Sequence, residues 1–289
     1  MHITYVRPTR RGSTASHRPS ILFWHLLVTV AWAIALAACG PNGAGGLTVT
    51  GSTSVTPFAE QLAENYQRAH AGTAINIQGL GSSAGIRAAI DGVAEIGMSS
   101  RDLLPDEAAA LDEIVIARDA LAVVVNPSNP VAGLTQAQIQ GIFSGQIRSW
   151  DALGGPPQPI TIVSREAGSG TFGAFDELVM KGQPITNSVL RQGSNGAIRQ
   201  IVAEDANAIG YISLGIVDAT VKPLAIDGIE PSVAHVEAGA YKLVRPFLFV
   251  WRKGATLTPL AQSYVDYVMG PEGQVELTKA GLVKGTPSQ

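Results

Sequence analysis

A short apolar run, a turn of glycines and hydroxyls, then a helix: this unit recurs along the chain and narrows the folds open to it. Leu47-Thr48-Val49-Thr50-Gly51 alternates as a half-buried strand does, and Ser52-Thr53-Ser54-Val55-Thr56-Pro57 then opens a helix carrying Phe58, Leu62 and Tyr66 on one face. Ala74-Ile75-Asn76-Ile77-Gln78 reads as a second strand, and Gly79-Leu80-Gly81-Ser82-Ser83-Ala84-Gly85 turns into a helix with Ile86 and Ile90 inward. A third strand over 94–98 ends in Ser99-Ser100-Arg101-Asp102. Further on, Ile160-Thr161-Ile162-Val163 leads through Ser164-Arg165-Glu166-Ala167-Gly168-Ser169-Gly170-Thr171-Phe172 into another helix. Strands and helices alternating through short turns specify an α/β protein with helical crossovers between its strands. No sequence repeat of fixed period accompanies the pattern.

The apolar stretch 113–125 stops at Asn126-Pro127-Ser128-Asn129-Pro130, where the prolines end any regular element, and this reads as the crossing into a second lobe. Thr135 caps a helix running to Phe143, and 147–159 form a loop. Gly193-Ser194-Asn195-Gly196-Ala197-Ile198 begins another helix, and Ala208-Ile209-Gly210-Tyr211-Ile212 is the strand returning towards the first lobe. Residues 241–251 form a strongly apolar strand; Leu260, Tyr264, Tyr267 and Val268 stripe a helix that Gly270-Pro271 breaks, before a closing helix over about 272–280. The expected partition is 47–124 for the first part of lobe 1, 125–212 for lobe 2, 213–240 for the return and hinge region, and 241–289 for the second part of lobe 1. Trp150, Trp251, Phe247 and Phe249 are expected in core or hinge packing.

Residues 1–38 differ from the rest. Arg7, Arg10, Arg11 and Arg18 are their only charged side chains, an apolar run over 21–38 follows, and Leu36-Ala37-Ala38-Cys39-Gly40 closes the segment. A basic start, an apolar middle and small residues before a cysteine describe a lipoprotein signal peptide, with Cys39 as the lipidated residue. Cys39 is the sole cysteine of the chain, so no disulfide stabilises it. The alternative is an uncleaved membrane helix. Residues 39–46 form a glycine-rich tether. Removal of 1–38 takes away four arginines and no acids, leaving 16 basic and 23 acidic side chains and a net charge of −7. A chain of that balance is no general polyanion or nucleic-acid binder, so any anion it holds is held by local geometry.

Four places share a chemistry suited to an anion: Ser52–Val55, Gly81–Gly85, Ser99–Arg101 and Arg165–Thr171. Each stands at the carboxyl end of a predicted strand, the edge of an open α/β sheet where ligands bind, and three of them open a helix. Gly-Ser turns present backbone N–H groups and hydroxyls, a helix start adds partial positive charge, and Arg165 adds a planar fork of donors. Any one such turn is equally a helix cap beside a surface arginine. Four on both sides of a lobe boundary point to one shared small tetrahedral or carboxylate anion.

Taken as a set and in order over about residues 47–283, these stretches resemble the phosphate-binding proteins of phosphate-specific ABC transporters, the PstS family. Gly51-Ser52-Thr53-Ser54, the 79–85 turn, Gly97-Met98-Ser99-Ser100-Arg101 and Arg165-Glu166-Ala167-Gly168-Ser169-Gly170-Thr171 carry the likeness, joined by Ser194-Asn195-Gly196-Ala197-Ile198 and Ala208-Ile209-Gly210-Tyr211-Ile212-Ser213. The resemblance implies a two-lobed periplasmic binding protein of type II, each lobe a mixed sheet flanked by helices, joined by two hinge strands, with phosphate in the cleft. It implies ligand donors at Ser54, Val55 (backbone N–H), Ser82, Arg165, Ser169, Gly170 and Thr171. Many family members carry an aspartate at the position of Ser100, to accept the proton that phosphate carries and sulfate lacks. Ser100 is expected to bond the ligand here, and Arg101 to serve as a second cation or as a structural ion-pair partner. Asn195 either bonds the anion or caps its own helix, and Asp102 or Glu166 stands in for the absent acceptor. The implied work is extracytoplasmic capture of inorganic phosphate by a lipid-anchored monomer and its delivery to permease subunits driven by a separate ATPase, without cofactor or catalysis.

Other classes remain open in the sequence. A sulfate or molybdate receptor, or a phosphate sensor without a permease, would use the same turns. Gly81-Ser82-Ser83-Ala84-Gly85 also matches the nucleophile elbow of α/β-hydrolases, with Ser83 as nucleophile and His235 as the downstream base. That elbow explains none of the other three turns. The histidines are scattered, no carboxylate cluster has metal-ligand spacing, and no ATPase phosphate loop is present.

Overall fold

In the computed structural model the chain is built on a 10-stranded mixed sheet. The structure describes His2 and residues 46–285; the rest of the leader 1–38, Cys39 and the tether short of Gly46 lie outside the described residues. In chain order, β1 (Leu47–Gly51), α1 (Thr56–Ala69), β2 (Ile75–Gly79), α2 (Ser82–Ile90) and β3 (Ile96–Ser99) make two crossovers, with β1 parallel to β2 and β3. The short α3 (Pro105–Ala110) precedes the 15-residue β4 (Leu111–Val125). Next come β5 (Gly133–Leu134), α4 (Gln136–Phe143), a 3-10 turn at Trp150–Leu153 and β6 (Thr161–Arg165). Then α5 (Gly170–Phe175), a π turn at Asp176–Met180, β7 (Leu190–Gln192), α6 (Asn195–Glu204) and β8 (Ala208–Ser213) supply crossovers, with β6 parallel to β7 and β8. The chain ends through β9 (Lys222–Pro223), β10 (Ala225–Ile226), α7 (Val233–Glu237), β11 (Val244–Arg252), α8 (Pro259–Met269), α9 (Pro271–Lys279) and β12 (Val283–Lys284).

The sheet order is β2-β1-β3-β11-β4-β8-β6-β7, with β9 and β12 also paired to β4, while β10 pairs with β5. β4 joins the two parallel sets. Its residues 111–120 pair antiparallel with β11, and 121–125 pair antiparallel with β8. The change of partner falls inside β4, ahead of the prolines that end the strand, and next to Asp119.

Each half of the sheet has its own core. On β1, β3 and β11 it is Val49, Ile96, Met98, Phe247 and Phe249 against Phe58, Leu62 and Tyr66 of α1 and Tyr264 and Val268 of α8. In the other half, Leu121, Val123 and Val125 face Ile139, Ile142 and Phe143 of α4, together with Trp150, Phe175 and Tyr211. Ala122 and Val124 face the opposite way, onto Ile198 and Val202 of α6. A strand covered on both faces has no polar side, which is why this part of β4 reads as unbroken aliphatic sequence. Leu224 and Ile226, from the segment expected to return between lobes, join the second core. Trp150, Phe247 and Phe249 are fully buried, whereas Trp251 is only half-buried.

Local chemistry fixes the helix ends. Gln138 N donates to Thr135 Oγ1 at 3.2 Å and Thr135 N donates to Gln138 Oε1 at 2.8 Å, a reciprocal cap for α4. Such a cap contributes about 1 kcal/mol. At α8 the Thr258 hydroxyl accepts from Ala261 N at 3.3 Å, ahead of Pro259, whose missing N–H costs nothing in the first turn.

Candidate functional site

The turns after β1, β2, β3 and β6 meet. Ser52 Oγ donates to Ser100 Oγ at 2.8 Å, and Ser100 N donates to Ser82 Oγ at 3.1 Å. Ser54 Oγ lies 2.6 Å from Thr171 Oγ1, linking residues 117 apart in sequence and belonging to opposite halves of the sheet. Asn195, at the start of α6, donates from Nδ2 to the same Ser54 Oγ at 2.7 Å. Ser52, Ser54, Ser82, Ser100, Ser169, Thr171, Asn195 and Arg165 are each at most 2% exposed. Burying so many hydroxyls is costly unless each has a partner, so their gathering in one place is a feature that core packing alone does not produce.

Two glycines let the turns approach. Gly81 takes φ +96° at the entry to α2, a conformation open to glycine, and a side chain there would meet the Gly168 carbonyl at 3.2 Å. A Cβ on Gly170 would fall on Ser82 Oγ and lie 2.6 Å from Ser100 Oγ. Gly170 is therefore one of the points, with Thr171 and Arg165, at which the 165–171 turn touches the turns of the other half.

Arg165 is buried with its fork turned across the site. Nε and Nη2 donate to Glu166 Oε2 and Oε1 at 3.0 and 2.8 Å, and Nη2 also donates to Thr53 Oγ1 at 3.0 Å. The carbonyls of Gln192 and Gly193 hold it from behind, each at 3.1 Å. Among the described residues Arg165 Nη1 and Asn195 Oδ1 are buried without a hydrogen-bond partner. The backbone beneath is braced by Tyr211, whose hydroxyl lies 2.6 Å from Ser164 Oγ and accepts from Arg165 N at 3.3 Å. Burial pushes the Tyr211 hydroxyl up to about 12, so it stays neutral, stacked on Phe175 at 3.9 Å between ring centroids.

The remaining expected donors are placed differently. Ser169 caps α5, its Oγ accepting from Thr171 N and Phe172 N at 3.1 and 3.3 Å. Val55 N donates to the Ser52 carbonyl at 3.1 Å, turned back into its own loop. Arg101 Nη1 and Nη2 donate to Glu107 Oε2 and Oε1 at 2.7 and 2.8 Å, a bidentate pair that clamps the loop after β3 and holds Glu107 below the usual carboxylate range despite the opposing effect of burial. Of the two roles open to Arg101, this geometry occupies it as an ion-pair partner. Asn195 is not the cap of its helix: Ser194 Oγ takes Ala197 N at 3.1 Å. Ser83 is exposed on α2, and His235 on α7 turns Nδ1 to the Glu230 carbonyl at 2.8 Å, with no hydrogen bond between the two among the described residues.

Two residues that pattern reading missed complete the site. Arg245 on β11 and Asp119 on β4 are cross-strand partners and form a buried ion pair, Nη2 and Nε donating to Asp119 Oδ2 at 2.8 and 3.0 Å. Ser213 Oγ, at the end of β8, donates to the other carboxylate oxygen at 2.7 Å. Burial raises the Asp119 carboxyl, against the pull of Arg245 and of hydrogen bonds from Ser213 and Gly215. Arg245 Nη2 also donates to Ser54 Oγ at 3.2 Å, and Nη1 to the Ser100 carbonyl at 3.4 Å. The sequence carried a faint signal: Asp119 directly precedes the apolar run 120–125 and Arg245 the apolar run 246–251, and a charge buried among such neighbours must find a partner. Both arginines of the site are thus matched by a carboxylate, and the cluster offers hydroxyl and amide dipoles with little net charge.

A family model described as a PBP superfamily domain matches residues 37–272. The phosphate-binding protein PstS of Pseudomonas aeruginosa is 30% identical over 268 residues, covering 83% of this chain and 83% of that protein. The PstS of Bacillus subtilis is 29% identical over 284 residues, covering 90% and 93%. Among solved structures, one described as a phosphate ABC transporter substrate-binding protein with bound phosphate, from Clostridium perfringens, is 42% identical with a TM-score of 0.80, covering 83% of this chain and 99% of that one. An ABC-type phosphate transport receptor from Vibrio cholerae is 34% identical with a TM-score of 0.70, covering 82% and 99%.

Proposed function

The chain belongs to the PstS phosphate-binding proteins of the PBP superfamily, and from that premise we propose that it captures inorganic phosphate outside the cytoplasm and hands it to an ABC transporter with separate permease and ATPase subunits. The observation that carries this reading is the meeting of Ser54 with Thr171, with Arg165 Nη2 donating to Thr53 in the same turn, which brings donors from both halves of the sheet together. The ligand set is Ser54, Ser82, Ser100, Arg165, Ser169, Gly170, Thr171 and Asn195. Arg101 and the Val55 N–H stand outside it, for the partners they already hold.

Capture needs no bond-making. Two lobes, one on each side of the strand change in β4, close on the guest and replace water with fixed dipoles. In that dry setting each bond to a charged guest contributes roughly 1.5–3 kcal/mol, strong enough to hold phosphate. With both arginines matched by carboxylates, the guest is held mainly by dipoles, and opening to water releases it. Ser100, where a carboxylate acceptor is expected, favours a second reading as a receptor for another tetrahedral oxyanion such as sulfate.

Calorimetric titration of the purified protein separates the two readings. Saturable binding of one phosphate, with sulfate much weaker, is the expected result; equal affinity for both ends the phosphate-specific claim. Gly170→Ala thrusts a methyl group onto Ser82 and Ser100 and is expected to weaken phosphate binding at least about tenfold, with a melting temperature lowered by a few degrees as the overpacked turns shift. A variant that binds as the parent does would remove the junction of these turns as the site.

The protein works as a monomer held to the membrane through lipid on Cys39, with the 39–46 tether as its leash. Cys39→Ser is expected to move it from the membrane fraction to the soluble extracytoplasmic fraction in its host; unchanged membrane association would end this part of the reading.

A further inference from the structure

Inorganic phosphate keeps at least one proton at neutral pH and sulfate keeps none, so a site that tells them apart must present an acceptor to that proton. Arg165 and the backbone N–H groups can only donate. Ser54 Oγ already accepts from Asn195 Nδ2 and Arg245 Nη2, which directs its own proton to Thr171. The carboxylates near the site are engaged elsewhere: both oxygens of Glu166 on Arg165, both of Glu107 on Arg101, and those of Asp119 on Arg245 and Ser213. Asp102 is exposed. Among the hydroxyls, Ser82 Oγ accepts from Ser100 N, Ser100 Oγ from Ser52 Oγ, and Ser169 Oγ from both Thr171 N and Phe172 N, whereas the amide oxygen of Asn195 is the buried side-chain acceptor of this cluster with no partner among the described residues. The residue is 1% exposed, its nitrogen is fixed on Ser54, its helix is capped by Ser194, and its Oδ1 has no partner among the described residues.

We propose that Asn195 Oδ1 accepts the proton of a protonated tetrahedral oxyanion and thereby sets the preference for phosphate over sulfate. The inference rests on the oxyanion-receptor reading above. A neutral amide suits this role, because its oxygen repels an unprotonated oxygen of sulfate yet adds no net charge against the anion.

The test is the ratio of phosphate to sulfate affinity, measured by calorimetric titration at neutral pH in the parent, Asn195→Ala and Asn195→Asp. Alanine leaves the phosphate proton buried without an acceptor and relieves sulfate of a repulsive oxygen, so the ratio is expected to fall about tenfold or more. Aspartate weakens both anions by charge but still accepts a proton, so the ratio is expected to rise about tenfold or more. Equal losses for both anions in both variants overturn the proposal; that is what a purely structural asparagine, or one whose NH2 group faces the guest, would give. Failure of the parent to bind phosphate at all removes the receptor reading itself, so the two failures are distinct.

Discussion

Arg165→Ala is expected to weaken phosphate binding by at least about 2 kcal/mol, some thirtyfold. Arg165 is the arginine of the site with an uncommitted donor, since Arg245 is fixed on Asp119, Ser54 and the Ser100 carbonyl and Arg101 on Glu107. Its other nitrogens hold Thr53 and the Gln192 and Gly193 carbonyls, so alanine also loosens the turn before α6, and some loss of melting temperature accompanies the loss of affinity. Arg165→Lys separates the contributions. Lysine restores the charge without the planar fork, and binding is expected to stay about tenfold or more below the parent. Calorimetry showing parental affinity in either variant would take Arg165 out of the site.

The second large effect lies at the join between the two halves of the sheet. Asp119→Ala leaves Arg245 buried and uncompensated between β4 and β11, and is expected to cost about 3–5 kcal/mol of stability. For a chain of this size that is a fall of roughly 10 °C in melting temperature. Replacing both partners together, Asp119→Leu with Arg245→Met, is expected to recover much of the stability, because an apolar pair of similar volume carries no desolvation cost. The double variant nonetheless loses the donor that orients Ser54, so its phosphate affinity stays low. Thermal melts and titrations on the single and double variants check both halves of this expectation. If affinity returned together with stability, Arg245 would be a packing residue with no bearing on the ligand.

The sequence alone determined the local events. Phe58, Leu62 and Tyr66 at helical spacing named the face of α1 that meets the core, Thr135 named the start of α4, and Gly270-Pro271 named the break before α9. The four Gly/Ser turns were legible as anion-loop candidates for the same reason. Periodicity, caps and turns depend on residues a few positions apart, so the information lies where it is read. Only the tertiary structure decided which turns meet and what each charge holds. That Asn195 reaches Ser54 and that Arg245 pairs with Asp119 depend on how the two halves of the sheet come together and on the register of β4 against β11, whereas Arg101 meets Glu107 only six residues on. A charged side chain such as Arg245, whose partner lies 126 residues away, carries no local mark of it. Its partner is whatever burial brings within about 3 Å, and that is a property of the packed whole.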